Sequence, residues 1–167
     1  MGMVALKVED LKDFTAQLFV GETFDAWLVR EVSIVTFNSF AIDGRIRQGY
    51  YSEQELEENK IEELSSWRML KPFCFSLIRG RKLPESFQIT LQLPPDKVEE
   101  FLNNAQLDFN VGQIAGLYIN LRYENKVIHC ISGTSLNVFT LDKQIEYEWD
   151  EAVRLYLKDR KIPFIEE

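Results

Sequence analysis

His129 is the only histidine in the chain. The residues that could work with it lie on two alternating runs, 116–124 and 127–132, joined by Asn125-Lys126. A two-residue loop of that composition closes a β-hairpin and fixes its register. Arg122 then lies opposite His129, and Leu121 opposite Cys130. Alternation puts Ile119, Leu121, Tyr123, Ile128 and Cys130 on one face, which reads as core. Tyr118, Asn120, Arg122 and His129 fall on the other face, beside Val127 and Ile131. Arginine beside histidine suits the capture of an anion, because a guanidinium forks onto carboxylate or phosphate. It does not suit catalysis, since no nucleophile, orienting acid or metal partner accompanies the histidine.

A second polar set comes from residues 27–46, rich in β-branched and aromatic side chains and therefore strand-forming. Asn38-Ser39 interrupts the run, so either a tight hairpin or one long strand fits. Phe40, Ile42 and Ile46 then point to the core, and Asp43, Arg45 and Arg47 point outward. If both outward sets share one side of one sheet, three arginines, a histidine and a tyrosine line it. The competing reading is a solvated polar face of an antiparallel sheet, which is common.

The elements that must hold these residues follow from periodicity and punctuation. Residues 3–8 read as a strand. Glu9-Asp10 open a helix with Leu11, Phe14, Leu18 and Phe19 at helical spacing, and Gly21 stops it. Residues 52–65 carry six Glu against one Lys and read as an exposed helix or connector. Trp67, Leu70, Phe73, Cys74, Leu77 and Ile78 share a helical face, with Pro72 read as the first-turn proline of a helix starting near Lys71. Residues 86–93 alternate as a strand. Pro94-Pro95-Asp96 then start a helix with Val98, Phe101 and Leu102 inward. A strand near 136–141 and a helix from Trp149 to Lys161 complete the chain. Arg79, Arg81 and Lys82, like Lys158, Arg160 and Lys161, read as cations at helix C-termini, where the dipole favours them.

This order predicts one α+β domain over 1–167, an antiparallel sheet with helices on one face. The order also repeats loosely, 3–80 against 86–161, as two β-α-β-β-α units. Such a duplication is similar in topology to the TATA-binding-protein-like fold, and topology alone carries no function.

The formal charge of −8 disfavours nucleic acid and anionic membrane surfaces as partners. No apolar stretch is long enough to span a bilayer. Lys7, Glu9 and Asp10 interrupt any signal-peptide core, and Leu6 stands where myristoylation favours Ser or Thr. Cys74 and Cys130, far apart in apolar runs, read as buried reduced thiols in a cytoplasmic protein. Two Cys and one His without close spacing do not make a zinc site. No nucleotide, dinucleotide, serine-hydrolase or metalloprotease motif occurs, so no cofactor is expected.

Three stretches together, MVALKVEDLKDF at the start, TFNSFAIDGRI at 36–46 and LKPFCFSLIRGRKLP at 70–84, resemble an uncharacterised family of clostridial and related Firmicutes proteins known only as a domain of unknown function. The resemblance covers the first 100 residues best. It implies a small cytoplasmic bacterial protein and carries no reaction. The expectation is a non-enzymatic binding or interaction module that meets a protein partner through its open sheet face. The alternative is a protein or enzyme that takes a small anionic molecule at Arg45, Arg47, Arg122 and His129. Free strand edges leave homodimerisation open.

Overall fold

The computed structural model describes residues 3–80 and 82–167. Met1, Gly2 and Arg81, and with them the myristoylation position and one helix-end cation, lie outside the described residues. In chain order the elements are β1 (Ala5–Val8), α1 (Leu11–Phe19), β2 (Leu28–Val35), β3 (Ser39–Asp43), α2 (Glu53–Glu58) and α3 (Trp67–Ile78). They continue with β4 (Ser86–Gln92), α4 (Pro95–Asn104), β5 (Ile114–Glu124), β6 (Val127–Leu136), α5 (Gln144–Asp159) and β7 (Phe164–Glu166). The strands form one antiparallel sheet in the order β3-β2-β4-β5-β6-β1-β7.

Alternation decides which side is buried. Val32 and Ile34 of β2, Ile89 and Leu91 of β4, Ile119 and Leu121 of β5, and Ile128 and Cys130 of β6 all face the helices. The hairpin β5–β6 turns on Asn125 and Lys126, both with positive φ (53° and 63°), the conformation of a type I′ turn. Its register is the one read from sequence, with Arg122 opposite His129 and Leu121 opposite Cys130. The 27–46 run is a hairpin whose turn is 36–38, not one long strand.

Several expectations are corrected. The third helix starts at Trp67, not near Lys71, because the Ser66 side chain accepts from the Met69 N–H and caps it there. Pro72 thus lies inside α3. Phe73, expected inward, is 65% exposed; the buried face of α3 is Trp67 and Cys74. The last helix begins five residues before Trp149, at Gln144, because Ile145 and Trp149 are buried one turn apart. The separate strand expected near 136–141 does not form: β6 runs unbroken to Leu136 and residues 137–141 are irregular. β7, unforeseen, pairs with β1. β4 lies beside its own hairpin, whereas β1 pairs with β6 and β7 and does not meet β2. The two halves therefore lay their strands in different orders, with no sign of a duplicated arrangement.

Polar side chains fasten the helices. The Trp67 indole donates to the Leu18 carbonyl (2.8 Å), joining α3 to the end of α1. Lys71 on α3 donates to the Gly21 carbonyl (2.8 Å) and pairs with buried Asp25 (2.6 Å). The Ser132 hydroxyl on β6 donates to Asp150 on α5 (2.6 Å) and accepts from the Val4 N–H (2.9 Å).

Burial raises the Asp150 carboxyl above its ordinary range, against the opposing Ser132 hydrogen bond. The folded state then holds this proton to higher pH than the unfolded chain does. Its contribution to stability therefore falls as pH rises from the ordinary aspartate value through the raised one. Asp150→Asn keeps an oxygen acceptor for Ser132 and removes that titration. Urea unfolding should find the variant gaining on the parent as pH rises through this window. Steady loss relative to the parent would show that the ionised form is the one the fold prefers.

Candidate functional site

The open side of the sheet is largely polar. One row across it runs Asp43, Glu31, Thr90, Asn120 and Ile131; the next runs Ala41, Ser33, Gln88, Arg122, His129, Lys7 and Ile165. Tyr118, Asn120, Arg122 and His129 therefore share a face, as the alternation requires. Asn120 accepts from the Thr90 hydroxyl (2.9 Å). The Tyr118 ring lies over Gly116, where a Cβ would come within 2.2 Å of its hydroxyl, and the Arg30 guanidinium is 6.0 Å from the ring centre.

Asp43 is on the same face but on the edge strand, four inter-strand spacings from His129, or about 19 Å. Its carboxylate accepts from the Arg45 N–H (2.9 Å), which fixes the turn that ends β3. Arg45 and Arg47 lie beyond β3, where Arg45 bridges Leu64. With β2 and β4 intervening, they do not converge with Arg122 and His129.

Lys7 joins that pair instead. It sits opposite His129 on β1, so three basic side chains stand in register on adjacent strands. They border a cleft of about 360 Å³ with Glu124 and Glu167. The His129 Nε2 meets the Glu167 carboxylate directly, so an acid of the chain itself already faces this row.

A larger concavity lies on the helix side. A groove of about 1190 Å³ runs between α4 and α5 on one hand and the α2–α3 connector with the start of α3 on the other. Trp27, Trp149, Phe101, Tyr156, Met69 and Leu93 furnish its apolar lining. The rings brace one another. Trp27 meets Tyr156 edge-on at 5.3 Å, Phe101 meets Trp149 edge-on at 5.4 Å, and Trp27 and Trp149 are 6.3 Å apart. Their polar atoms are used internally. The Trp27 indole donates to the Tyr156 hydroxyl (3.0 Å), that hydroxyl donates to the Thr23 carbonyl, and the Trp149 indole donates to the Tyr118 carbonyl (3.0 Å). Arg160 covers Tyr156 at 3.5 Å from the ring centre. The result is a pre-set aromatic floor that asks no hydrogen bond of an occupant.

The rim alternates in sign, with Lys60 near Glu62, Lys97 paired to Glu100 at 3.3 Å, and Lys158 beside Asp159. Arg154 on α5 reaches the other way, forking onto Glu166 at 2.5 and 3.1 Å and so pinning β7. This pairing raises the arginine's pKa and lowers that of Glu166.

The groove was not foreseen from sequence. Its one local signal is the stripe Trp149, Ala152, Tyr156 and Arg160 at helical spacing on α5. Cys74 and Cys130 are buried and free, and desolvation pushes each thiol up to about 12, which leaves them protonated and unreactive. Among the described residues no group of three or more His, Cys, Asp or Glu is placed to hold a metal ion, and no helix is long and apolar enough to cross a membrane.

The sequence profile of a family of unknown function, DUF5721, matches residues 17–165. The match runs through the C-terminal part and begins after the whole of the MVALKVEDLKDF segment, which ends at Phe14. No curated protein and no solved structure matches the chain.

Proposed function

The chain belongs to this family of unknown function, and from that premise we propose that it is a non-enzymatic binding module that receives an amphipathic helical segment of a partner protein in the groove between α4, α5 and the α2–α3 connector. The observation that carries this reading is the braced aromatic floor under a rim of alternating charge. At about 1190 Å³ the groove exceeds the usual small-molecule range of roughly 300–1,000 Å³. Apolar anchors spaced along one helix face suit such a floor, and charged residues at their sides suit a mixed rim. In a chain of net charge −8 the balanced rim also removes the repulsion that an acidic helix would meet elsewhere. The open sheet face, by contrast, is polar at its centre, which is weaker ground for a partner core.

Leu155 lines the groove and is 58% exposed, so a charge there leaves the core intact. Amphipathic peptides selected by display on the full chain should lose at least about tenfold in affinity on Leu155→Glu, the loss of one apolar anchor contact. They should keep their affinity on Arg122→Ala. The reverse pattern would refute the groove and move recognition to the open face. A second reading, a small anion on Lys7, His129 and Arg122, is favoured by the register of those three basic side chains. The carboxylate of Glu167 would have to be displaced first.

A further inference from the structure

The two edges of the sheet are built differently. β7 has only three residues, follows Pro163 and carries Glu166, held by Arg154. Shortness, proline and charge are the usual protections of an edge strand. β3 has five residues, no proline and no lysine, and its single acid is engaged by the Arg45 N–H. Ser39, Ala41 and Asp43 are exposed. Phe37 at the hairpin tip is 92% exposed and packs edge-on against Phe40 at 6.0 Å.

The hydrogen-bond alternation shows what this edge offers. Thr36 N–H donates to the Asn38 carbonyl (2.9 Å), and Gly44 N–H to the Arg30 carbonyl (3.0 Å). Between those ends Ile34 lies opposite Phe40, and Val32 opposite Ile42. Since bonded and non-bonded pairs alternate along an antiparallel ladder, Phe40 and Ile42 are the residues bonded to β2. Ser39, Ala41 and Asp43 therefore aim their backbone N–H and C=O groups away from the sheet. Among the described residues only the Ser39 N–H of these meets a partner, the Asn38 side chain (3.0 Å).

We propose that β3 pairs antiparallel with β3 of a second copy of this chain, about a two-fold axis through Ala41, making one continuous sheet from two molecules. In this register Ala41 exchanges both backbone bonds with the partner subunit's Ala41. Ser39 lies opposite the partner's Asp43, and Phe40 opposite the partner's Ile42. No like charges face each other, and apolar side chains meet on the helix side. The edge is thus complementary to itself, as an isologous contact requires. The contact lies at the sheet edge and is independent of the groove.

Ala41→Pro tests it selectively. Ala41 is not bonded to β2, so a proline there removes only the outward N–H, as edge positions tolerate. Sedimentation equilibrium of the full chain should show a reversible monomer–dimer equilibrium. The two bonds lost per dimer should weaken it at least about tenfold in Ala41→Pro. Ser39→Asp, on an exposed residue, places two carboxylates opposite each other and should weaken the dimer too, whereas Ser39→Lys should tighten it. A chain that stays monomeric to millimolar concentration, or a dimer unmoved by all three substitutions, overturns the proposal.

Discussion

Replacing Gly44 with alanine should cost about 4 kcal/mol, from overpacking and from hydrogen bonds broken in relieving it, and lower the melting temperature by roughly 10 °C. The reason is close approach of backbones. A Cβ on Gly44 would lie 1.7 Å from the Val29 carbonyl oxygen and 2.6 Å from its carbon. Neither atom belongs to a flexible side chain, so the chain itself would have to move. Movement is resisted from both sides. Gly44 N–H donates to the Arg30 carbonyl (3.0 Å), and the Gly44 carbonyl accepts from the Ser65 N–H (2.7 Å). Ser65 in turn accepts from the Val29 N–H (2.8 Å), and β2 carries a register shift at this level. Three chain segments thus cross at Gly44 without room for a methyl group. Thermal unfolding of Gly44→Ala followed by circular dichroism checks this; a shift of a degree or two would mean that β2 yields far more readily than its hydrogen bonds suggest.

Trp67→Ala should be of similar size, about 3–5 kcal/mol by the usual cost of emptying a buried tryptophan site. Trp67 is fully buried, tilts against Phe19 at 5.8 Å and donates to the Leu18 carbonyl (2.8 Å). Its removal opens a cavity and leaves a helix-end carbonyl of α1 without a partner. Trp67→Phe separates the two contributions, because it keeps most of the ring volume and loses only the donor. That variant should cost about 1–3 kcal/mol, the penalty of one unsatisfied buried acceptor. Denaturant midpoints of the two variants supply the comparison. Equal losses would assign the whole effect to the hydrogen bond.

The second hairpin was legible because its information is local. Asn125-Lys126 sets the turn, the turn sets the register, and alternation assigns the faces. Asp43-Gly44-Arg45 shows the opposite case. The motif is conspicuous in sequence and was read as bearing outward charge, yet Asp43 caps a turn and Gly44 permits a crossing whose other members, Val29 and Ser65, lie far away in the chain. β7 escaped because three residues after Pro163 carry too little pattern, and only pairing with β1 makes them a strand. In sequence Trp149 reads as the opening residue of α5, whereas Ile145 one turn earlier completes the buried face and carries the helix start to Gln144.

The groove is the clearest non-local feature. Trp27 precedes β2, Phe101 lies on α4, Met69 on α3, and Trp149 and Tyr156 on α5. Each is ordinary core in its own segment, and only the packing of four segments makes a floor of them. Aromatic content was visible in the sequence; the convergence was not.

The three tryptophans offer the most direct test of the groove. Trp27 and Trp149 line it and Trp67 does not. In a two-dimensional nitrogen–proton spectrum of the full chain, the three indole N–H signals can be followed as a selected amphipathic peptide is added. Binding in the groove should shift the Trp27 and Trp149 signals together and leave Trp67 in place. Saturable binding that leaves both groove indoles unmoved, while the backbone signals of Lys7, Arg122 and His129 shift, would contradict the account and place recognition on the open face of the sheet.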